Sequence, residues 1–133
     1  MYVPPALFTS LTTAIGNDPA FKSVFPDGPD WFTSASLNNC TVLQQTSDEL
    51  DAALPRVTLT FGTGSTIEVE TLPTQSYLVA VDGIAPTTCW VPGIATIPGF
   101  NCQIMGVSFM RSRIFIFDRA NKRLGLAAQQ PCP

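Results

Sequence analysis

Phe115-Ile116-Phe117-Asp118-Arg119-Ala120-Asn121-Lys122-Arg123-Leu124-Gly125-Leu126-Ala127 is the stretch on which the fold reading turns. Ile114 to Phe117 is an unbroken apolar run. Such a run is too short for a helix and reads as a buried strand. Asp118 to Lys122 is a charged turn in which Asp118 accepts local backbone hydrogen bonds. Arg123 to Ala127 supplies the return strand, so the whole is a β-hairpin.

Working upstream, a second hairpin follows Leu54-Pro55. Val57, Leu59 and Phe61 alternate with Arg56, Thr58 and Thr60, and Gly62-Thr63-Gly64-Ser65 is the turn. Thr66 to Glu70 returns with Ile67 and Val69 on one face and Glu68 and Glu70 on the other. Ser76 to Val81 is a third strand, followed by a loop through Pro86, and Cys89 to Val91 is short and extended. Pro92 to Asn101 is irregular and leads into Gln103-Ile104-Met105-Gly106. The one convincing helix is Pro5 to Ile15, with apolar residues Leu7 or Phe8, Leu11 and Ile15 on one side. Pro4-Pro5 suits its first turn and Gly16-Asn17 its end. Asp18 to Asp30 reads as a loop pinned by Phe21, Val24 and Phe25.

Composition agrees with one β-rich unit of 133 residues: 45% hydrophobic, 13% charged, with 12 Pro and 9 Gly as punctuation. Seven basic residues and a net charge of −3 supply no counterion-displacing surface, which sets nucleic acid aside. No stretch reaches the ~20 apolar residues that span a bilayer. Histidine is absent, so Ser-His and Cys-His nucleophile schemes and His-liganded metal sites are excluded; no metal or other cofactor is implied. Low charge also limits self-repulsion on acidification, which suits an acidic compartment.

Cys40, Cys89, Cys102 and Cys132 contain no C-x-x-C pair. Scattered and even in number, they favour disulfides and an oxidising compartment over reduced core cysteines. Asn39-Cys40-Thr41 fits the N-glycosylation sequon. Met1-Tyr2-Val3-Pro4-Pro5 has neither a charged nor a long apolar leader region, so the chain reads as part of a longer gene product. Asp48, Glu49 and Asp51 read as a solvated surface run. Asp82-Gly83 is a turn, and the Gly-rich 62–65 stretch lacks the Lys and helix of a phosphate loop. The residues by themselves assemble no complete active site.

The 115–127 hairpin resembles the C-terminal hairpin of pepsin-like aspartic proteases, which typically reads Val-Phe-Asp-Arg-Ala-Asn, two variable residues, an aliphatic, Gly, Leu or Phe, and Ala. Ile104-Met105-Gly106 is similar to the family's ψ-loop element, and Leu54-Pro55 through Phe61 and Tyr77-Leu78 to two of its strands. Met1-Tyr2-Val3-Pro4 and the helix after it look like the segment just behind the second catalytic Asp-Thr/Ser-Gly triplet. Phe25-Pro26-Asp27-Gly28, Met105-Gly106-Val107 and Cys132 resemble most the beta-secretase branch, where a small apolar residue follows the ψ-loop glycine and pepsins place Asp.

The resemblance implies a mainly β architecture for residues 1–133: part of the C-terminal lobe of the acid-protease barrel, with one short N-terminal helix. It implies a two-lobed endopeptidase in which each lobe donates one aspartate. Neither Asp-Thr-Gly nor Asp-Ser-Gly occurs in the sequence, so no catalytic residue is assigned and the chain alone is expected to be inactive. It is expected to pair with the absent N-terminal lobe, or to dimerise or aggregate, and the complete enzyme to take peptide or protein substrates. The ψ-loop Gly106 lets a neighbouring segment pass where a Cβ would collide. Ile94, Ile97, Ile104 and Met105 either wall the substrate cleft or pack in the core. Cys40 and Cys89 match the lobe's internal disulfide, while Cys102 and Cys132 pair together or remain open. The implied setting is the secretory pathway, outside the cell or in an acidic vacuolar or lysosomal compartment, with room for a membrane anchor outside these residues. Some members of the fold, such as plant xylanase inhibitors, have lost catalysis and bind proteins; this is the alternative.

Overall fold

The computed structural model describes residues 1–62, 66–81, 87–99, 101–111 and 113–129. Helix α1 (Pro5–Asn17) starts with a proline in its first turn, where the missing N–H costs nothing. It turns Ile15 and Thr12 inward, with Phe8 and Leu11 against the same core and Leu7 exposed. The face is therefore set by Phe8 rather than Leu7.

The stretch expected to be a loop contains helix. Asp18 accepts hydrogen bonds from the backbone N–H of Ala20 (2.8 Å) and Phe21 (3.2 Å), and Pro19 occupies the first turn. Both are helix-start signals, and they begin α2 (Pro19–Val24). A 3-10 turn, Gly28–Asp30, and α3 (Trp31–Ser34) follow. Gly16 lies so close to this turn that an added Cβ would stand 2.4 Å from the Pro29 nitrogen, so only glycine permits the crossing. Phe21, with no exposed surface, stacks on Phe25 and Phe32 at centroid separations of 4.8 and 5.4 Å and meets Trp31 and Tyr77 at 5.9 and 6.1 Å. This aromatic group anchors the helical layer to the strands, since offset and edge contacts add to the burial of large rings.

Strand β1 (Thr41–Leu43) precedes α4 (Ser47–Ala53), which the acidic run had not announced as helix. Its start is a capping box: Thr46 Oγ1 accepts from the Glu49 N–H, and Glu49 accepts from the Thr46 N–H at 2.8 Å. Asp48 and Glu49 are exposed, as a solvated run requires. Asp51 is half-buried and accepts from the Thr74 N–H (2.8 Å) and hydroxyl (2.6 Å), tying α4 to α5 (Pro73–Ser76).

Strands β2 (Val57–Phe61) and β3 (Ile67–Thr71) form the expected antiparallel hairpin, with Val57 opposite Thr71 and Phe61 opposite Ile67. Its turn, 63–65, lies outside the described residues. β4 (Leu78–Val81) and β5 (Thr88–Pro92) pair antiparallel, and β1 adds to the far side of β5, giving the order β1-β5-β4. Tyr77 carries no exposed surface, and its hydroxyl donates to the Pro55 carbonyl at 2.7 Å. Buried Thr71 likewise donates to the Val57 carbonyl at 2.8 Å. The core gathers Val3, Ile15, Leu50, Leu54, Leu78, Trp90 and Ile94 around the aromatic group.

After α6 (Val107–Met110), strands β6 (Arg113–Asp118) and β7 (Arg123–Ala128) form the final hairpin, with Asp118 accepting from the Asn121 N–H at 3.1 Å. The expectation of a buried strand here is corrected. Ile114, Ile116 and Phe117 are 49%, 57% and 68% exposed. One face reaches the body through Phe115 on Phe109, Phe109 on Phe61, and an Arg113 hydrogen bond to the Glu70 carbonyl (2.8 Å). The outer face, Ile114 and Ile116, is left in solvent, and Phe117, beyond Phe115 on the inner face, is uncovered as well. A continuous apolar run signals a strand wanting cover on both faces, and this structure provides it on one. The architecture is strand-rich, with seven strands in small antiparallel sheets among the described residues. The N-terminal helix is the longest of six α-helices among the described residues rather than the sole one.

Candidate functional site

The N-terminal residues thread between two segments distant in sequence. Tyr2 exchanges both backbone hydrogen bonds with Ile104, each 2.9 Å, in an antiparallel bridge. On its other side it bridges Ala95 in parallel fashion: Val3 N–H donates to the Ala95 carbonyl (3.0 Å) and Ala95 N–H to the Met1 carbonyl (2.9 Å). Ala95 and Ile104 therefore flank one central strand, an arrangement that no local sequence pattern announces. The Met1 nitrogen donates to the Gly93 carbonyl.

Beside this crossing lies an open cleft of about 340 Å³, bordered by Tyr2, Pro92, Ala95, Gly106, Ser108 and Arg111 among others. Its ionisable side chains among the described residues are the Tyr2 phenol and the Arg111 guanidinium. No carboxylate among the described residues lines it. General acid–base hydrolysis by an aspartate pair needs two carboxylates, and the described residues lining this cleft supply none. Among the described residues no set of three or more His, Cys, Asp or Glu could hold a metal ion, and no helix is long and apolar enough to cross a membrane.

The residues singled out from the sequence divide at this site. Ile94 is 1% exposed and belongs to the core, so its side chain packs rather than facing the cleft. Ile97 and Ile104 are 43% and 46% exposed and Met105 is half-buried; none of the three lines the cleft, although the crossing brings the Ile104 segment to within one strand of Ala95. Gly106 borders the cleft directly. Its backbone is extended (φ −88°, ψ −166°), and an added Cβ would meet nothing within 4 Å. Nothing among the described residues makes glycine necessary there; the close passage implied by the resemblance would have to come from a segment outside them. Tyr2, Ser108 and Arg111 escaped notice, because only the tertiary crossing carries them to the cleft.

Cys40 and Cys89 are bridged, with Cα atoms 5.5 Å apart, and the bond ties the start of β1 to β5. Cys102 is free and exposed, and Cys132 lies outside the described residues. Asn39 is exposed on the turn before β1. Asp82-Gly83 also lies outside the described residues.

Comparison with known proteins gives one family. The model of the eukaryotic aspartyl protease family matches residues 33–129, from α3 through β7, well over half of the chain. No curated protein matches the sequence. The matched span includes the disulfide, both hairpins, and the Ala95 and Ile104 segments of the crossing, so on fold, order and motif alike the chain belongs to the eukaryotic aspartyl protease family.

Proposed function

We propose that this chain is the part of an aspartic endopeptidase lobe that follows the second Asp-Thr/Ser-Gly triplet, and that it serves as cleft wall and scaffold. The observation that carries this reading is the threading of Met1–Val3 between Ala95 and Ile104, beside a cleft bordered by Gly106 in which no described residue offers a carboxylate. The reacting aspartates then belong to polypeptide outside these 133 residues, one from each lobe. Held adjacent, two such carboxylates cannot both ionise, so they share a proton. The ionised member takes a proton from water as it attacks the scissile carbonyl, and the protonated member donates to the oxygen. This chain's contribution is positional: an extended peptide substrate lies along the cleft, against Val79, Pro92, Ala95 and Val107 as its apolar wall, with Ile97, Ile104 and Met105 on the adjoining segments. The 133 residues alone hydrolyse nothing.

Val107 following Gly106 supports placement in the beta-secretase-like branch. The disulfide and the low charge fit the secretory pathway, with the enzyme working outside the cell or in an acidic vacuole or lysosome. A membrane anchor, if the parent has one, lies outside the chain. The test is to produce the complete gene product beside the 133-residue chain and follow cleavage of an internally quenched peptide under acidic conditions. Cleavage by the complete product, abolished when either triplet aspartate becomes asparagine, supports the proposal. Cleavage by the short chain refutes its inactivity. A complete product with altered triplets and no cleavage supports the binding-protein alternative.

A further inference from the structure

We propose that Asn39 carries an N-linked glycan, and that its attachment competes in time with closure of the Cys40–Cys89 bridge. The inference rests on the secretory reading above. The triplet Asn39-Cys40-Thr41 is unusual in that its middle residue is the bridged cysteine. Asn39 itself is exposed, and so are Leu37, at 74%, and Val42, at 60%. A bulky, hydrated glycan at this turn would stand over apolar surface that the chain otherwise leaves bare. The asparagine Nδ2 donates to the Ser34 carbonyl at 3.3 Å. A glycosylated amide retains one N–H, so that contact survives modification.

The folded sequon, however, is closed to a transferase. Thr41 Oγ1 accepts the indole N–H of buried Trp31 at 2.7 Å, Thr41 is paired with Trp90 in the sheet, and Cys40 is tied to Cys89. The transferase reads the hydroxyamino acid of the triplet, which here is committed to the fold. Modification must therefore precede docking of β1 and formation of the disulfide. In the reaction the Asn39 Nδ2 forms a bond to the anomeric carbon of a lipid-linked oligosaccharide diphosphate. The bond from that carbon to the diphosphate oxygen breaks, the lipid diphosphate leaves with the electron pair, and the amide gives up one proton.

The experiment expresses the 133-residue chain behind a cleavable secretory leader in eukaryotic cells. Occupancy is read over the whole cellular pool, by gel shift before and after glycosidase treatment and by the deamidation tag left at residue 39. Wild type is expected to be partly modified. Occupancy rises towards completion when a thiol reductant is present during synthesis, or in Cys89→Ser, which leaves the triplet intact. Thr41→Ala loses the shift. Asn39 bare in wild type, in reductant and in Cys89→Ser overturns the site. Equal occupancy in all three overturns the competition. Protein from its natural source separates the two layers of argument. Free thiols at Cys40 and Cys89 there would sink the secretory reading, whereas a closed bridge beside a bare Asn39 would sink this proposal alone.

Discussion

Replacing Gly106 by alanine separates what this chain needs from what a complete enzyme would need. Within the chain the backbone of Gly106 is extended and allowed to any residue, and the new Cβ finds no atom within 4 Å. Reduced freedom of the unfolded chain should favour alanine by about 0.4–1 kcal/mol. Gly106 also stands at the N-cap of α6, where alanine is worse than glycine by a comparable amount of about 0.5 kcal/mol. The two offset, and Gly106→Ala should leave the stability of the 133-residue chain unchanged within about 0.5 kcal/mol. Gly16→Ala is the control. Its Cβ would lie 2.4–2.7 Å from backbone atoms of Pro29 and Gly28, which cannot rotate away. Prising α1 from the 3-10 turn should cost about 1–3 kcal/mol or more.

Urea unfolding followed by tryptophan fluorescence reads both, because Trp31 and Trp90 are each at most 2% exposed. With a slope of about 1–3 kcal/mol per molar urea, Gly16→Ala moves the midpoint by on the order of 1 M while Gly106→Ala does not move it. In the complete protein the proposed close passage at Gly106 makes the same substitution harmful, lowering kcat/KM by about tenfold for each 1.4 kcal/mol of strain reaching the transition state. Loss of more than about 1 kcal/mol in the short chain would refute the open geometry. A harmless Gly106→Ala in both forms would remove the reason for assigning it a ψ-loop role.

Opening the disulfide, by Cys40→Ala with Cys89→Ala, frees a loop of sequence separation 49 in the unfolded state and should cost about 4 kcal/mol by chain entropy. A loss below about 1 kcal/mol in the urea midpoint would mean that the unfolded chain already holds β1 near β5. The exposed outer face of the last hairpin is expected to make the isolated chain self-associate, and Ile114→Lys with Ile116→Lys should then shift light scattering towards monomer; a monomeric wild type contradicts this. At the start of α4, Thr46→Ala should cost about 1 kcal/mol. There the Glu49 carboxylate, held below its usual pKa first by the Thr46 backbone N–H and then by its hydroxyl, binds fewer protons folded than unfolded. Its contribution is present above the unfolded value and lost as pH falls through the lowered folded one, so Glu49→Gln should flatten the acid limb of a stability–pH profile.

Much of this fold was legible because its signals are local. The 115–127 strand-turn-strand pattern, the alternation from Val57 to Val69 and the proline-started α1 each need only neighbours in sequence, and each forms as expected. The capping box at Thr46 and the Asp18-Pro19 helix start were equally local, yet acidic and aromatic residues drew the reading towards surface and loop. The sequence alone also determined that neither catalytic triplet is present, which bounds what these residues can do. Only the tertiary structure decided which apolar residues are buried. Ile94 and Ile104 are chemically alike, but one closes the core and the other stands half in solvent at the Tyr2 crossing. It alone showed that the Ile114–Phe117 run is bare on its outer face, because periodicity states that a strand wants cover without saying what supplies it. The cleft itself comes from pairing residues 2, 95 and 104, and hydrogen bonds between segments so far apart leave no periodic trace in the chain.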